Sequence, residues 1–207
     1  MILNPYYFTN FFKISVGVCL FLFPSLLFAH SADTTKTGFI SGFLHPIFGV
    51  DHLIAMFAVG YLSALIAKKS IILIPAVFVM SMIIGGYFGL ILLFEMPTEW
   101  IIRISIIALG VFILMNNSKL KTHPVYLSVV YLSVGIFGIA HGFAHGEEMP
   151  YFLKPQFFIL GFATCSILIH ILGIVTFIGL NRFINKKMNV IISALTITSG
   201  LLVIYFL

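Results

Sequence analysis

His45-Pro46-Ile47-Phe48-Gly49-Val50-Asp51-His52 opens a run that continues as Leu53-Ile54-Ala55-Met56-Phe57-Ala58-Val59-Gly60-Tyr61-Leu62. The run is apolar enough for a bilayer, yet its first half holds two imidazoles and a carboxylate. A second such stretch, His141-Gly142-Phe143-Ala144-His145-Gly146-Glu147-Glu148, closes another apolar segment. Ionisable side chains in hydrocarbon cost several kcal/mol on most scales, so they mark a pathway, a relay or a metal site. Imidazole with carboxylate is also a ligand set that divalent nickel, cobalt, zinc or iron accepts.

The chain of 207 residues is 61% hydrophobic and 8% charged, with a mean hydropathy of +1.17. A soluble domain carries roughly 25% charged residues. This composition cannot cover a water-facing surface and implies an all-α integral membrane protein. The formal net charge of +5 does not imply a nucleic-acid partner. Its Lys and Arg form no basic face; they sit in short clusters between apolar segments, where membrane topology accounts for them. The two cysteines, Cys19 and Cys165, both lie in apolar segments, and no structural disulfide is expected. No G-x-x-x-x-G-K-[ST] loop is present, which excludes ATP binding of the P-loop kind.

The N-terminus reads as a signal peptide. Lys13 precedes the apolar run Ile14 to Phe28, and then come Ala29 and the polar His30-Ser31-Ala32-Asp33-Thr34-Thr35-Lys36-Thr37. An apolar run of about 15 residues before a small residue suits a secretory segment better than a span. Cleavage after Ala29 divides the chain into a signal peptide, 1–29, and a membrane domain, 30–207. The alternative is an uncleaved anchor that adds a helix.

A membrane-spanning helix needs about 20 apolar residues. Six segments after the signal qualify: 38–67, 71–94, 98–115, 124–146, 156–180 and 189–207. The expected architecture is therefore a six-helix transmembrane bundle. If the mature N-terminus is exported, Lys68, Lys69, Lys119, Lys121, Arg182, Lys186 and Lys187 all fall inside. Lys36 and Lys154 remain outside with Glu95, Glu99, Glu147 and Glu148. This is the positive-inside bias, and it puts the C-terminus outside as well. Both His-rich stretches then lie near the outer face, with His170 deeper. The expected location is the inner membrane of a bacterium.

Residues seven apart return to nearly the same helix face. On one helix, His45 would sit at the entrance, with Pro46 in the first turn and His52 two turns below. His141, His145 and Glu148, spaced by four and three, form one stripe. Two facing stripes offer four to six N and O ligands. Gly49, Gly142 and Gly146 allow close helix approach or local unwinding. His170 is a pathway candidate, although a single membrane His is more often a packed contact residue. His30 becomes a chelating N-terminal residue if the cut follows Ala29. Glu147 lies off the stripe. His123 reads as a solvated loop residue, and Glu99 with Arg103 as an i,i+4 pair.

At these residues the chain resembles the HupE/UreJ family of nickel permeases. The family pattern H-P-x-x-G-x-D-H-L is matched by His45-Pro46, Gly49 and Asp51-His52-Leu53. Its F-H-G-x-A-H-G-x-E is matched at His141, Gly142, Ala144, His145, Gly146 and Glu148, with Ala140 at the Phe position. Gly161-Phe162, His170 and Gly173 carry a weaker likeness. The resemblance implies secondary uptake of Ni²⁺, or of Co²⁺ in some relatives, as transported substrate without a prosthetic group. It implies that His45, Asp51, His52, His141, His145 and Glu148 are the functional residues. The rival expectation is an intramembrane zinc hydrolase, with three His and a carboxylate around one ion and an open position for water.

Overall fold

The computed structural model describes residues 38–66, 70–92, 97–115, 120–147, 149, 154–181 and 187–206. The predicted signal peptide, His30 and Glu148 lie outside the described residues. Seven α-helices follow one another: α1 Gly38–Phe48, α2 Val50–Ile66, α3 Ser70–Ile91, α4 Thr98–Met115, α5 Pro124–Glu147, α6 Pro155–Asn181 and α7 Lys187–Phe206. A 3-10 turn, Leu120–Thr122, precedes α5. The described residues contain no strand.

Uninterrupted apolar sequence explains the helices, since backbone groups facing lipid must bond within their own segment. Proline marks the starts. Pro124 and Pro155 are first residues of their helices, where a missing N–H costs nothing. Pro97 directly precedes α4 and its carbonyl accepts from the Ile101 N–H at 3.3 Å.

Four helices (α3, α4, α5 and α6) are long and apolar enough to cross a membrane. The count is five if α1 and α2 form a single span. Only 28% of the α3 span is buried inside the protein, so most of its surface is left for lipid. Exposed Ile72, Met80, Leu132 and Leu195 belong to such faces. Within α7, the apolar stretch Asn189–Tyr205 is shorter.

The first predicted segment is not one helix. It breaks at Gly49, and α1 and α2 meet at 84°. Pro46 therefore lies near the C-terminal end of α1 rather than in a first turn. His45 and His52 stand on different helices, so the two-turn stacking expected of them does not occur. At about 1.5 Å per residue, an eleven-residue α1 reaches only halfway through a hydrocarbon core of about 30 Å. The pair is a broken span or a re-entrant turn.

Two sets of contacts fix the rest. α3 lies along α5, and α6 lies along both α1 and α2. α4 packs chiefly on α7. Glycines allow the close contacts, because in lipid it is fit between helix surfaces that holds helices together. A Cβ on Gly142 of α5 would strike the Met82 carbonyl of α3, and one on Gly60 of α2 would strike the His170 carbonyl of α6. Gly142 and Gly146 bring α5 against α3, not against the helices that carry His45 and His52. The predicted Glu99–Arg103 pair is present at 3.4 Å, and His123 is exposed between the 3-10 turn and α5.

Candidate functional site

The break at Gly49 brings two helix ends to the last turns of α5. His45 is in the last turn of α1, Asp51 in the first turn of α2, and His145 in the last turn of α5. The polarity of the helices suits these positions. A carboxylate is favoured at a helix N-terminus and a cation at a C-terminus, by about 0.3–1 kcal/mol each.

The rings of the two sequence clusters meet. His45 and His145 stand 4.4 Å apart between ring centres, and His52 and His145 also 4.4 Å. His52 and His141 are 5.1 Å apart. Phe162 of α6 closes one side, 4.3 Å from His145 and 6.3 Å from His45. Phe158 stands 5.8 Å from His45. His52, His141 and His145 are buried, and His45 is partly open. A pocket beside His145 runs between α3, α5 and α6, lined also by Met82, Gly86, Met149 and Ile159.

Two of the imidazoles are held in a defined tautomer. Asp51 Oδ1 accepts from the backbone N–H of His52 at 2.9 Å and from its Nδ1–H at 2.7 Å. An ionised carboxylate can only accept, so the proton is on Nδ1 and the lone pair is on Nε2. In His141 the Phe137 carbonyl accepts from Nδ1–H at 2.7 Å, with the same result. The buried Nε2 atoms of His52 and His141 have no hydrogen-bond partner among the described residues. Each such nitrogen costs about 1–3 kcal/mol. An imidazole anchored through Nδ1 by a carboxylate or carbonyl, with a bare Nε2, is how proteins prepare a histidine metal ligand.

Gly49 protects that arrangement. A Cβ there would lie 2.7 Å from His52 Nδ1 and 3.2 Å from Asp51 Oδ1, inside the pair. Among the described residues no three His, Cys, Asp or Glu side chains are arranged to chelate one ion in this conformation. The rings pack edge to face or tilted, and side-chain rotation would be needed for their nitrogens to share an ion.

Glu147 ends α5 and is exposed. His170 is on α6, with its ring 5.2 Å from that of Phe78. The phenyl rings beside the site, Phe78, Phe158 and Phe162, were not recognisable by residue type in a chain with 23 phenylalanines. Gly161-Phe162 was marked only by family likeness.

The family described as HupE / UreJ protein matches residues 18–203. Protein HupE of Rhizobium leguminosarum bv. viciae is 30% identical over 162 residues, which is 78% of this chain and 81% of the relative. No solved structure matches the chain.

Proposed function

The chain belongs to the HupE / UreJ protein family, and on that premise we propose that it is a secondary permease that takes up Ni²⁺, or Co²⁺, as its substrate. The observation that carries the reading is the paired state of His52 and His141: Nδ1 anchored, Nε2 bare and buried. That is an expensive arrangement with no purpose in packing, and it is what a borderline divalent ion requires. His45 and His145 complete the imidazole set. Asp51 offsets part of the ion's charge while it orients His52. Glu148, the carboxylate of the second motif, shares that charge-offsetting role.

In this reading residues 1–29 are a signal peptide removed after Ala29, and residues 30–207 form the permease. His30 then carries the free amine and an imidazole next to it, a chelating pair. The bilayer is crossed six times, by the α1–α2 pair and by α3 to α7. Lysine and arginine clusters in alternate loops support an outward N-terminus and an outward C-terminus in a bacterial inner membrane. The His cluster then faces the outside, and capture precedes inward passage. Imidazoles that share an ion by small rotations can also release it. A permease needs that property and a closed structural metal site lacks it. Membership of this family runs against the intramembrane zinc hydrolase.

The test is uptake of radiolabelled Ni²⁺ into cells that express the protein, with Co²⁺, Zn²⁺ and Fe²⁺ as competitors. The expected result is uptake that Ni²⁺ or Co²⁺ blocks best and that His45→Ala abolishes. No uptake by a correctly inserted protein would sink the reading.

A further inference from the structure

His170 of α6 is 1% exposed, and neither of its ring nitrogens has a hydrogen-bond partner among the described residues. A neutral imidazole has one N–H to donate and one lone pair to fill. Leaving both unmet costs about 1–3 kcal/mol for each. Phenylalanine or leucine would fill the same space without that cost, so packing alone does not account for a histidine here.

The surroundings connect this residue to the outer cluster. Phe162, Ser166 and His170 are four apart along α6 and share a face. The stripe starts at Phe162, whose ring packs on His145 and His45, and it ends at His170. Phe78 and Met82 are likewise four apart on α3. Phe78 stands 5.2 Å from the His141 ring and 5.2 Å from the His170 ring, so one phenyl touches both the outer cluster and His170. Ser166 links the two stripes. Its hydroxyl lies 2.9 Å from the Phe162 carbonyl and 3.5 Å from the Met82 sulfur, and both residues are buried.

We propose that His170 is a second metal station, one step inward of the His45–His52–His141–His145 cluster, with Ser166, one helical turn away on α6, and Met82, which Ser166 touches, as the candidate oxygen and sulfur donors. This deepens the permease reading and rests on it. Imidazole nitrogen and thioether sulfur suit late transition-metal ions and are poor donors for Mg²⁺ or Ca²⁺. The station therefore adds selectivity after capture. Two stations in series also ease release, because an ion must be held well enough to enter and weakly enough to leave.

The experiment counts ions on the purified full-length protein in detergent by equilibrium dialysis with Ni²⁺ alone, beside uptake in proteoliposomes. The expected result is two ions per chain in the parent and one in His170→Leu, with proteoliposome uptake lowered at least tenfold. His170→Met, which restores a soft donor of similar size to leucine, is expected to recover the second ion in part. If packing were the role, leucine and methionine would behave alike, and that result overturns the proposal. Equal ion counts in parent and His170→Leu overturn it too. If leucine does not fold, the comparison is made between His170→Met and His170→Gln, where only methionine should hold the second ion. Uptake that needs His52 but is indifferent to His170 leaves the permease standing and removes this station. No Ni²⁺ bound or transported by the parent removes both.

Discussion

Helices α3 and α5 and the pair α1–α2 are all built from apolar sequence, yet they solve opposite problems. α3 and α5 run unbroken, with glycines that let one backbone touch the other. The α1–α2 segment gives up continuity at Gly49 and turns through 84°. The first arrangement makes a rigid wall. The second places an imidazole on each side of the break, a carboxylate at a helix start, and a glycine where any side chain would intrude. Glycine serves contact in one region and a polar site in the other.

That contrast can be broken most severely at Gly142. A leucine there must displace the Met82 backbone, not a flexible side-chain tip. Overpacking of this kind is expected to cost about 3 kcal/mol or more. Gly142→Leu should lose the monodisperse peak in fluorescence-detected gel filtration. A parent-like profile would mean that α3 and α5 do not approach as described.

The next effect in size is on function without loss of fold. His52→Ala and His141→Ala remove imidazoles whose Nδ1 is anchored, and each should lower Ni²⁺ uptake by about 100-fold. Their melting temperatures should stay within a few degrees of the parent. Normal uptake in both variants would remove these side chains from the site.

Gly49→Ala sharpens the comparison with Gly142. The nearest obstacle to its Cβ is the His52 ring, which can move. Thermal stability should barely change, while Ni²⁺ affinity by dialysis drops about tenfold as the Asp51–His52 bond is disturbed. A variant that unfolds but still binds when rescued at low temperature would reverse the roles assigned to the two glycines.

Asp51→Asn keeps an oxygen that can accept from His52 Nδ1–H and removes only the charge. Affinity should fall about tenfold, at the low end for loss of a ligand's supporting partner. A variant as inactive as His52→Ala would make Asp51 a direct ligand.

The smallest expected effect is that of pH. Neutral imidazole binds the ion, and protonation competes with it. Uptake should therefore fall as the outside is acidified, by less than the tenfold expected of Asp51→Asn. Initial rates in a pH series at constant membrane potential would measure this. Stimulation by acid would point to proton coupling instead.

Most helix positions were legible in the chain, because apolar length sets them. The segment 98–115 appears as α4, and 124–146 becomes α5 with one residue added. Pro124 and Pro155 each stand first in their helices, α5 and α6. The sequence allowed local unwinding at Gly49, but it did not decide between that and a continuous helix. A Pro and a Gly inside an apolar run are compatible with a continuous transmembrane helix, and the choice lies in how α1 packs along α6. The spacing of His45 and His52 was misleading for the same reason: a seven-residue interval means one face only if the helix is unbroken. The bare nitrogens of His170 were also invisible, since a histidine symbol does not say whether a partner is near.

By itself the sequence determined that this protein belongs in a bilayer, which segments become helices, and which residue types are out of place there. Those follow from transfer energies and local hydrogen bonding, which act over a few residues. Only the tertiary structure decided that His45 and His52 meet through His145, that Asp51 turns the Nε2 of His52 loose, and that Phe78 packs on both His141 and His170. Those facts depend on contacts between helices far apart in the chain, and in lipid the fit of one helix surface against another selects them.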